Sequence, residues 1–154
     1  MIHLRPHHLL CMLTYAGRGY TPRFTSGMDD LIARLGAGEE ITIVDGPDDI
    51  CAPWLAEAAE VTTTENTSEM RAPHCHEARI SGRDAKAAGD VGRLLGQEIT
   101  AGSRLRLDAA LIARLRRAFR DNAIRSGCTA CEWKDFCDGL GASDFAGCRL
   151  TAAG

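Results

Sequence analysis

The chain has 154 residues, a formal net charge of -3 and a pI near 5.9. This length predicts one compact domain, and the mild acidity gives no general attraction to nucleic acid or to an anionic membrane surface. The segment from Met1 to Tyr15 is too short and too rich in His and Arg for a secretory signal or a membrane span. We therefore expect a soluble, cytoplasmic protein without a membrane partner.

The first half of the chain predicts two helices and one strand. Apolar residues recur at helical spacing over residues 6–15, which predicts a short N-terminal helix. A second helix is expected to start at Thr21, a favourable N-cap residue, and to stop at Gly36. Residues 40–44 alternate as a strand does, and residues 56–73 have the Thr, Glu, Asn and Ser content of a surface loop.

The second half predicts two further helices. Ser81 and Asp84 have the spacing of a capping box in which Asp replaces Glu, so a helix is expected to follow them. The clearest helix starts after Asp108, a plausible N-cap, and runs to Gly127, where it leads directly into Cys128. Together the elements predict an α+β fold that is mainly helical, with a small sheet element.

The domain organisation follows from these elements. We expect a single compact domain over residues 1–154, without internal repeats. Residues 1–126 would form a mixed, mainly helical body that includes a candidate second metal pocket. Residues 127–150 would form a C-terminal, cysteine-rich segment that binds the cluster.

Seven cysteines favour metal ligation over disulfides, because a reducing compartment disfavours pairing and an odd number cannot all pair. Four of them follow the spacing C-x2-C-x5-C-x10-C: Cys128, Cys131, Cys137 and Cys148. This spacing predicts an iron-sulfur cluster of the [4Fe-4S] type, and the glycine-rich stretch before Cys148 is expected to bring that thiol to the others. Structural zinc needs the same thiolates and stays open, although zinc ribbons usually have two C-x2-C pairs.

The other three cysteines lie beside further potential ligands in RPHHLLC, GPDDIC and PHCHE. We predict a second metal pocket, holding zinc or a second cluster, from these segments: Cys11, Cys51, Cys75, His7, His8 and His76. The alternative is structural, with cysteines in the core and histidines that cap turns or pair with Asp48 and Asp49. A catalytic Cys-His arrangement is a further alternative, for which no orienting third residue is identifiable.

Arginines outnumber acidic residues over residues 104–125: Arg104, Arg106, Arg114, Arg116, Arg117, Arg120 and Arg125. This basic helix region predicts a docking face for an acidic protein redox partner, with a simple solvated face as the alternative. Nucleic acid is disfavoured as a partner, because no aromatic residues are interleaved for base stacking.

The segments RPHHLLC, GPDDIC and CTACEWKDFC are similar to those of small bacterial and archaeal proteins grouped as domain-of-unknown-function family 1284. This resemblance spans nearly the whole chain and implies iron-sulfur binding without a known reaction. The matching positions are His7, His8, Cys11, Asp49, Cys51, Cys75, Cys128, Cys131 and Cys137. The family often has a further cysteine after the GPDDIC segment, which this chain lacks, and this departure favours His7, His8 or His76 as a fourth ligand of the second site.

The leading functional hypothesis is therefore an iron-sulfur protein that transfers electrons or senses redox state. A zinc-stabilised interaction module is the second hypothesis. A metalloenzyme with a structural cluster and a reactive Cys/His pocket is the third. The sequence predicts neither a reaction nor a substrate.

Overall fold

The computed structural model describes residues 1–61, 73 and 75–153. Within these residues the strands are β1 (Ile2–Leu4), β2 (Ile41–Ile43) and β3 (Arg104–Leu105). The α-helices are α1 (His8–Cys11), α2 (Pro22–Gly36), α3 (Ala52–Val61), α4 (Ala78–Leu95), α5 (Ala109–Arg120) and α6 (Lys134–Ala142). Short 3-10 helices cover Met12–Thr14 and Ser126–Cys128. The predicted α+β class, mainly helical with a small sheet, is confirmed.

The sheet has the strand order β1-β2-β3. β1 and β2 are parallel, with Ile2 opposite Ile41, and β3 runs antiparallel to β2. Apolar side chains alternate along β1 and β2 and are buried, which places one face of the sheet against the core. Because parallel strands end at the same edge, the segments that follow Leu4 and Ile43 emerge side by side.

Two helices begin where the sequence predicts. The Thr21 hydroxyl accepts a hydrogen bond from the Phe24 amide at 3.1 Å at the start of α2. The Asp108 carboxylate accepts one from the Leu111 amide at 2.7 Å at the start of α5. α5 ends at Arg120 rather than at Gly127, because Asn122 adopts a left-handed conformation (φ 62°) that a helix cannot continue through.

Other boundaries differ from the prediction. The capping box at Ser81 is wrong: α4 starts at Ala78, so Ser81 lies inside the helix, and the Asp84 side chain has other partners. The predicted loop is wrong at its start, because α3 continues to Val61. The remainder of that predicted loop, residues 62–72, lies outside the described residues.

The core lies between the sheet and the helices. The apolar face of α2 is buried, as are Trp54 of α3, Val91 of α4 and Phe119 of α5. Among the helices described, none combines the length and the apolarity that crossing a membrane requires.

Candidate metal centre

Four thiols line one pocket. Cys11 comes from the end of α1, and Cys128, Cys131 and Cys137 come from the C-terminal segment. The cavity has a volume of about 120 Å³, and much of its remaining wall is apolar or aromatic. The structure therefore brings together three members of the predicted cluster set and one cysteine assigned from sequence to the second site.

A series of tight turns delivers the three C-terminal thiols. The Cys131 amide donates to the Cys128 carbonyl at 3.0 Å, and the Lys134 amide donates to the Cys131 carbonyl at 3.1 Å. The Cys137 amide then donates to the Trp133 carbonyl at 2.9 Å at the start of α6. Each turn reverses the chain within a few residues, so thiols that are close in sequence face the same cavity.

The position of the turns is fixed by α4. Asp90, which is 4% exposed, accepts hydrogen bonds from the Ser126 amide at 2.9 Å and from the Ser126 hydroxyl at 2.5 Å. Gly127 lies against the same helix: a Cβ atom at this position would meet the carbonyl oxygen of Arg83 at 2.9 Å. The 3-10 turn that carries Cys128 is thus anchored by a carboxylate and by a backbone approach that needs glycine.

Burial and neighbouring thiols raise the pKa of three of the pocket thiols. Burial of the sulfur raises the pKa of Cys11 well above the ordinary value. The charges of Cys131, Cys137 and Cys128 add to this rise. Burial also raises the pKa of Cys128 and of Cys137, so a bound cation is needed to hold Cys11, Cys128 and Cys137 as thiolates at neutral pH.

Arg125 is a buried cation beside this pocket. Its guanidinium pairs with Asp138, lies 4.3 Å from the ring centroid of Phe119 and offsets part of the rise that burial causes in the pKa of Cys128. Its Nε and Nη2 atoms are buried and have no hydrogen-bond partner within the described part of the chain. A buried guanidinium with spare donors suits an anionic neighbour, such as a cluster carrying four thiolates.

Aromatic side chains close one side of the pocket. Tyr20 stacks on Trp54 with ring centroids 3.9 Å apart, and the Trp133 indole donates to the Tyr20 hydroxyl at 3.0 Å. Phe136 packs edge-on against Trp133, and the Arg18 guanidinium lies 4.8 Å above its ring. Residues 17–20, with the sequence GRGY, supply Arg18, Gly19 and Tyr20 to this wall.

Cys148 does not line this pocket. Burial raises the pKa of its thiol, the nearby guanidinium of Arg116 opposes this rise, and no cysteine charge within the described residues acts on it as one does on Cys11, Cys128 and Cys137. The glycine-rich stretch before it is held in place, because Phe145 packs against Phe119 at a centroid distance of 5.7 Å and Leu150 is fully buried. The structure therefore does not unite Cys148 with the other three residues of the predicted set.

A second polar cluster lies at the carboxyl ends of β1 and β2. His7 Nδ1 lies 2.6 Å from Asp84, and His8 Nδ1 lies 2.7 Å from Asp48. Potential ligand atoms of His7, His8 and Cys11 all lie within 4.8 Å of one another. The pairing of His8 with Asp48 is the contact that the structural alternative predicted.

Charge balance in this cluster depends on Arg5, which is 1% exposed. Its guanidinium contacts Asp84 through Nε at 2.8 Å and through Nη2 at 2.7 Å. Although burial raises the pKa of Asp84, hydrogen bonds from His7 and Arg5 lower it to about 2. Burial and the neighbouring His8 lower the pKa of His7 to about 4, so a neutral imidazole faces an ionised carboxylate at pH 7.

Of the remaining predicted ligands, two are buried cysteines and one is an exposed histidine. The thiols of Cys51 and Cys75 are buried and hydrogen bond to each other, which raises the pKa of Cys51 and lowers that of Cys75. His76 is exposed and belongs to neither group of close ligand atoms among the described residues. His74, in the same segment, lies outside the described residues.

Sequence reasoning missed the groups that orient the ligands. Arg5, Asp84 and Arg125 are buried charges that contact candidate ligands, whereas the sequence predicts a helix cap for Asp84, a docking face for Arg125 and no role for Arg5. No local pattern marks them. The available signal was a charged residue at an inward-facing helical position, as for Asp84 in α4.

Comparison with protein families identifies a family for this chain. A family model described as a protein of unknown function, DUF1284, matches residues 19–137, more than half of the chain. No curated protein and no solved structure matches the chain significantly. The matched range contains Cys51, Cys75, Cys128, Cys131 and Cys137. The chain therefore belongs to the DUF1284 family of proteins of unknown function.

Proposed function

We propose that this chain is an iron-sulfur protein that holds a [4Fe-4S] cluster and transfers electrons or senses redox state. The proposed ligands are Cys11, Cys128, Cys131 and Cys137, with Cys11 in the place that the sequence assigned to Cys148. The observation that carries the proposal is the convergence of these four thiols on one largely apolar pocket. Four soft thiolates that converge in a water-poor cavity are the usual ligands of such a cluster.

The spacing of the thiols is too wide for a single zinc ion. A tetrahedral zinc site with Zn–S bonds of about 2.3 Å holds its sulfur atoms about 3.8 Å apart. In the part of the chain that is described, no three of the four pocket thiols lie within 4.8 Å of one another. A cubane needs wider spacing because each thiolate binds a different iron. The zinc-stabilised module is therefore the weaker candidate.

The surroundings of the pocket are suited to electron exchange. Cys128, Cys131 and Cys137 are partly exposed, so a cluster bound there would lie near the surface. Helix α5 contacts α6, which carries Cys137, and Arg114 and Arg117 of α5 are exposed. We include in the proposal an acidic protein partner that docks on this part of the basic region 104–125. Arg116 and Arg125 take no part in it, because both are largely buried and their guanidinium groups bind partners inside the fold.

Protein purified without oxygen provides the test. We expect a brown protein with about four irons and four sulfides per chain. Cys131→Ser and Cys11→Ser should each lose most of the iron. Cys148→Ser is the matched control, since it removes a thiol of the same segment that does not line the pocket, and it should keep the wild-type iron content.

Two results would contradict the proposal. A colourless wild-type protein that carries zinc instead of iron would exclude the cluster. Loss of iron in Cys148→Ser together with full iron content in Cys11→Ser would replace the present ligand set by the one predicted from spacing.

A further inference from the structure

We propose that His7, His8 and Cys11 form a second site, for a divalent transition metal ion of the zinc type, beside the pocket of four thiols. The inference does not require the cluster to exist. It rests on three ligands from one short segment and on the two carboxylates that orient the histidines. It also rests on the hydrogen bonds that already occupy Asp48, the carboxylate of the alternative ligand set.

The first argument is proximity. Potential ligand atoms of His7, His8 and Cys11 lie within 4.8 Å of one another, so small side-chain movements can bring them to a common ion. Two imidazoles and a thiolate form a borderline-soft donor set, which suits Zn²⁺ and related divalent transition metals rather than Mg²⁺ or Ca²⁺. The two imidazole rings are tilted by 58° with centroids 4.3 Å apart, so they do not stack face to face.

The second argument is the orientation of the imidazoles. Each histidine places Nδ1 against a carboxylate, His7 at 2.6 Å from Asp84 and His8 at 2.7 Å from Asp48. An Nδ1–H that donates to a carboxylate leaves Nε2 with a free lone pair, and this is how metal-bound histidines are commonly held. Arg5 pairs with Asp84 at 2.7 Å, so the carboxylate that orients His7 is itself held in place.

The third argument excludes a different metal site. The ligand atoms of His8, Asp48 and Cys51 also lie within 4.8 Å of one another, but they are already engaged. Asp48 already accepts four hydrogen bonds: from the amides of Arg5, Ile50 and Cys51 and from the His8 ring. A carboxylate whose oxygens are used in this way anchors the loop and the imidazole rather than binding an ion. Cys51 is engaged with Cys75.

An ion bound at this site would have a free coordination position, which indicates what the site could do. His8 and Cys11 both line the pocket of four thiols, so an ion bound by three protein ligands would have its fourth position toward that pocket. Three ligands plus an open position are typical of catalytic rather than structural zinc sites. Cys11 belongs to both proposed sites, and a thiolate sulfur has lone pairs to bridge two metal ions.

The test uses Zn²⁺ as the probe and a full-length chain that carries Cys128→Ser and Cys131→Ser, so that zinc cannot occupy the four-thiol site. We expect this protein to bind one zinc ion per chain. His8→Asn or His7→Asn, added to it, should weaken zinc binding by more than about 100-fold. Loss of a residue that only hydrogen bonds to a metal ligand already costs about 10–100-fold, and these variants remove a ligand itself. His3→Asn is the matched control, because His3 lies in the same segment but is exposed and pairs with Asp49. Unchanged zinc affinity in the His7→Asn/His8→Asn double variant would overturn the inference.

Folding is controlled separately. His7 is buried, so its variant must retain the wild-type circular dichroism, and Cys11→Ser is a second variant at an exposed position. Co²⁺ bound to the same background should give a thiolate charge-transfer band that Cys11→Ser removes. If the band persists in Cys11→Ser, the assignment of Cys11 is wrong. Zinc binding without any iron in the wild-type protein would refute the cluster alone, and iron without zinc would refute this site alone.

Discussion

At the scale of single residues, Arg5 links the two strand ends that carry the candidate ligands. It is fully buried, its amide donates to Asp48 at 2.7 Å and its guanidinium pairs with Asp84. Nη1 also donates to the Cys75 carbonyl at 2.8 Å. A buried ion pair that loses one partner leaves an uncompensated charge in a poorly solvated environment.

We therefore expect Arg5→Met to lower the free energy of unfolding by about 3–5 kcal/mol. The measurement is urea denaturation of the metal-free protein. Arg34→Met is the matched control, because Arg34 forms an ion pair with Glu39 at a partly exposed site. Its loss should change stability by at most about 1 kcal/mol. Equal stability of the two variants would show that the buried pair contributes nothing net.

Arg125 provides a prediction for the cluster itself. Its guanidinium lies beside Cys128, so Arg125→Met removes a positive charge near the proposed cluster and should make reduction harder. We expect the reduction potential to fall by about 100 mV, the scale of a unit charge about 7 Å away at an effective dielectric constant of about 20. Asp138 keeps Lys134 as a partner at 2.7 Å in this variant.

The measurement is a redox titration of the loaded protein, followed through its visible absorption. Arg114→Met serves as the control, since Arg114 is exposed and does not line the pocket. An unchanged potential in Arg125→Met with full iron content would place the cluster elsewhere.

At the scale of elements, local patterns predicted what local interactions determine. The caps at Thr21 and Asp108 act within one helical turn, and both helices start where expected. β3 has only two residues, too few for a period-2 pattern to stand out, and was missed, as was β1. Helix α6 contains Gly139 and Gly141, which lower helix propensity, and was also missed.

The reach of local patterns also explains which ligands of the candidate site could be predicted. Cys128, Cys131 and Cys137 were predicted together because short turns connect them. Which distant cysteine joins them depends on how the N-terminal segment packs, and spacing along the chain carries no information on that. Parallel pairing of β1 with β2, which the sequence did not predict, places the segment that leads to Cys11. Spacing alone therefore favoured Cys148.

The contact between α4 and the cysteine turn gives a prediction at this scale. Gly127→Ala would place Cβ 2.9 Å from the Arg83 carbonyl oxygen and 3.2 Å from the Arg83 Cγ atom, so the turn must move away from α4. We expect a loss of about 1–3 kcal/mol in stability, as for other overpacked sites, and reduced iron occupancy.

Gly139→Ala is the control for this substitution. Gly139 lies in α6, and a Cβ there meets no atom within 4 Å. Alanine in a helix should stabilise the protein by about 0.5–1 kcal/mol, the opposite sign. Thermal unfolding and iron analysis of both variants provide the comparison. A stable, fully loaded Gly127→Ala protein would mean that the turn tolerates displacement from α4.

At the scale of the whole molecule, α4 couples the two candidate sites. Asp84 orients His7, and Asp90 anchors the turn before Cys128, so one helix positions ligands from both ends of the chain. A cluster held by Cys11 and the C-terminal thiols would further link these ends. Metal binding should therefore stabilise the global fold rather than a local segment.

The buried histidine makes global stability depend on pH. The pKa of His7 is lowered to about 4, whereas an unfolded histidine titrates near 6.5. Between these values the unfolded chain binds more protons than the native protein, so stability rises with pH and is lost as pH falls from about 6.5 to 4. The loss should be about 2–3 kcal/mol for the metal-free protein. The pKa of Asp84, lowered to about 2, adds a further loss in more acidic solution, from about 4 down to 2.

His7→Asn separates these two contributions. Asparagine cannot titrate, so the variant should lose the slope between pH 6.5 and 4, whatever its stability at pH 7, and below pH 4 it should keep only the part of the loss that the pairing of Arg5 with Asp84 causes. Urea denaturation of metal-free protein at pH 7, 5.5 and 4 measures the slope directly. His3→Asn, which removes an exposed histidine, should keep the wild-type slope. If His7→Asn keeps the same slope as the wild-type chain, the buried imidazole is not the group that couples protonation to unfolding.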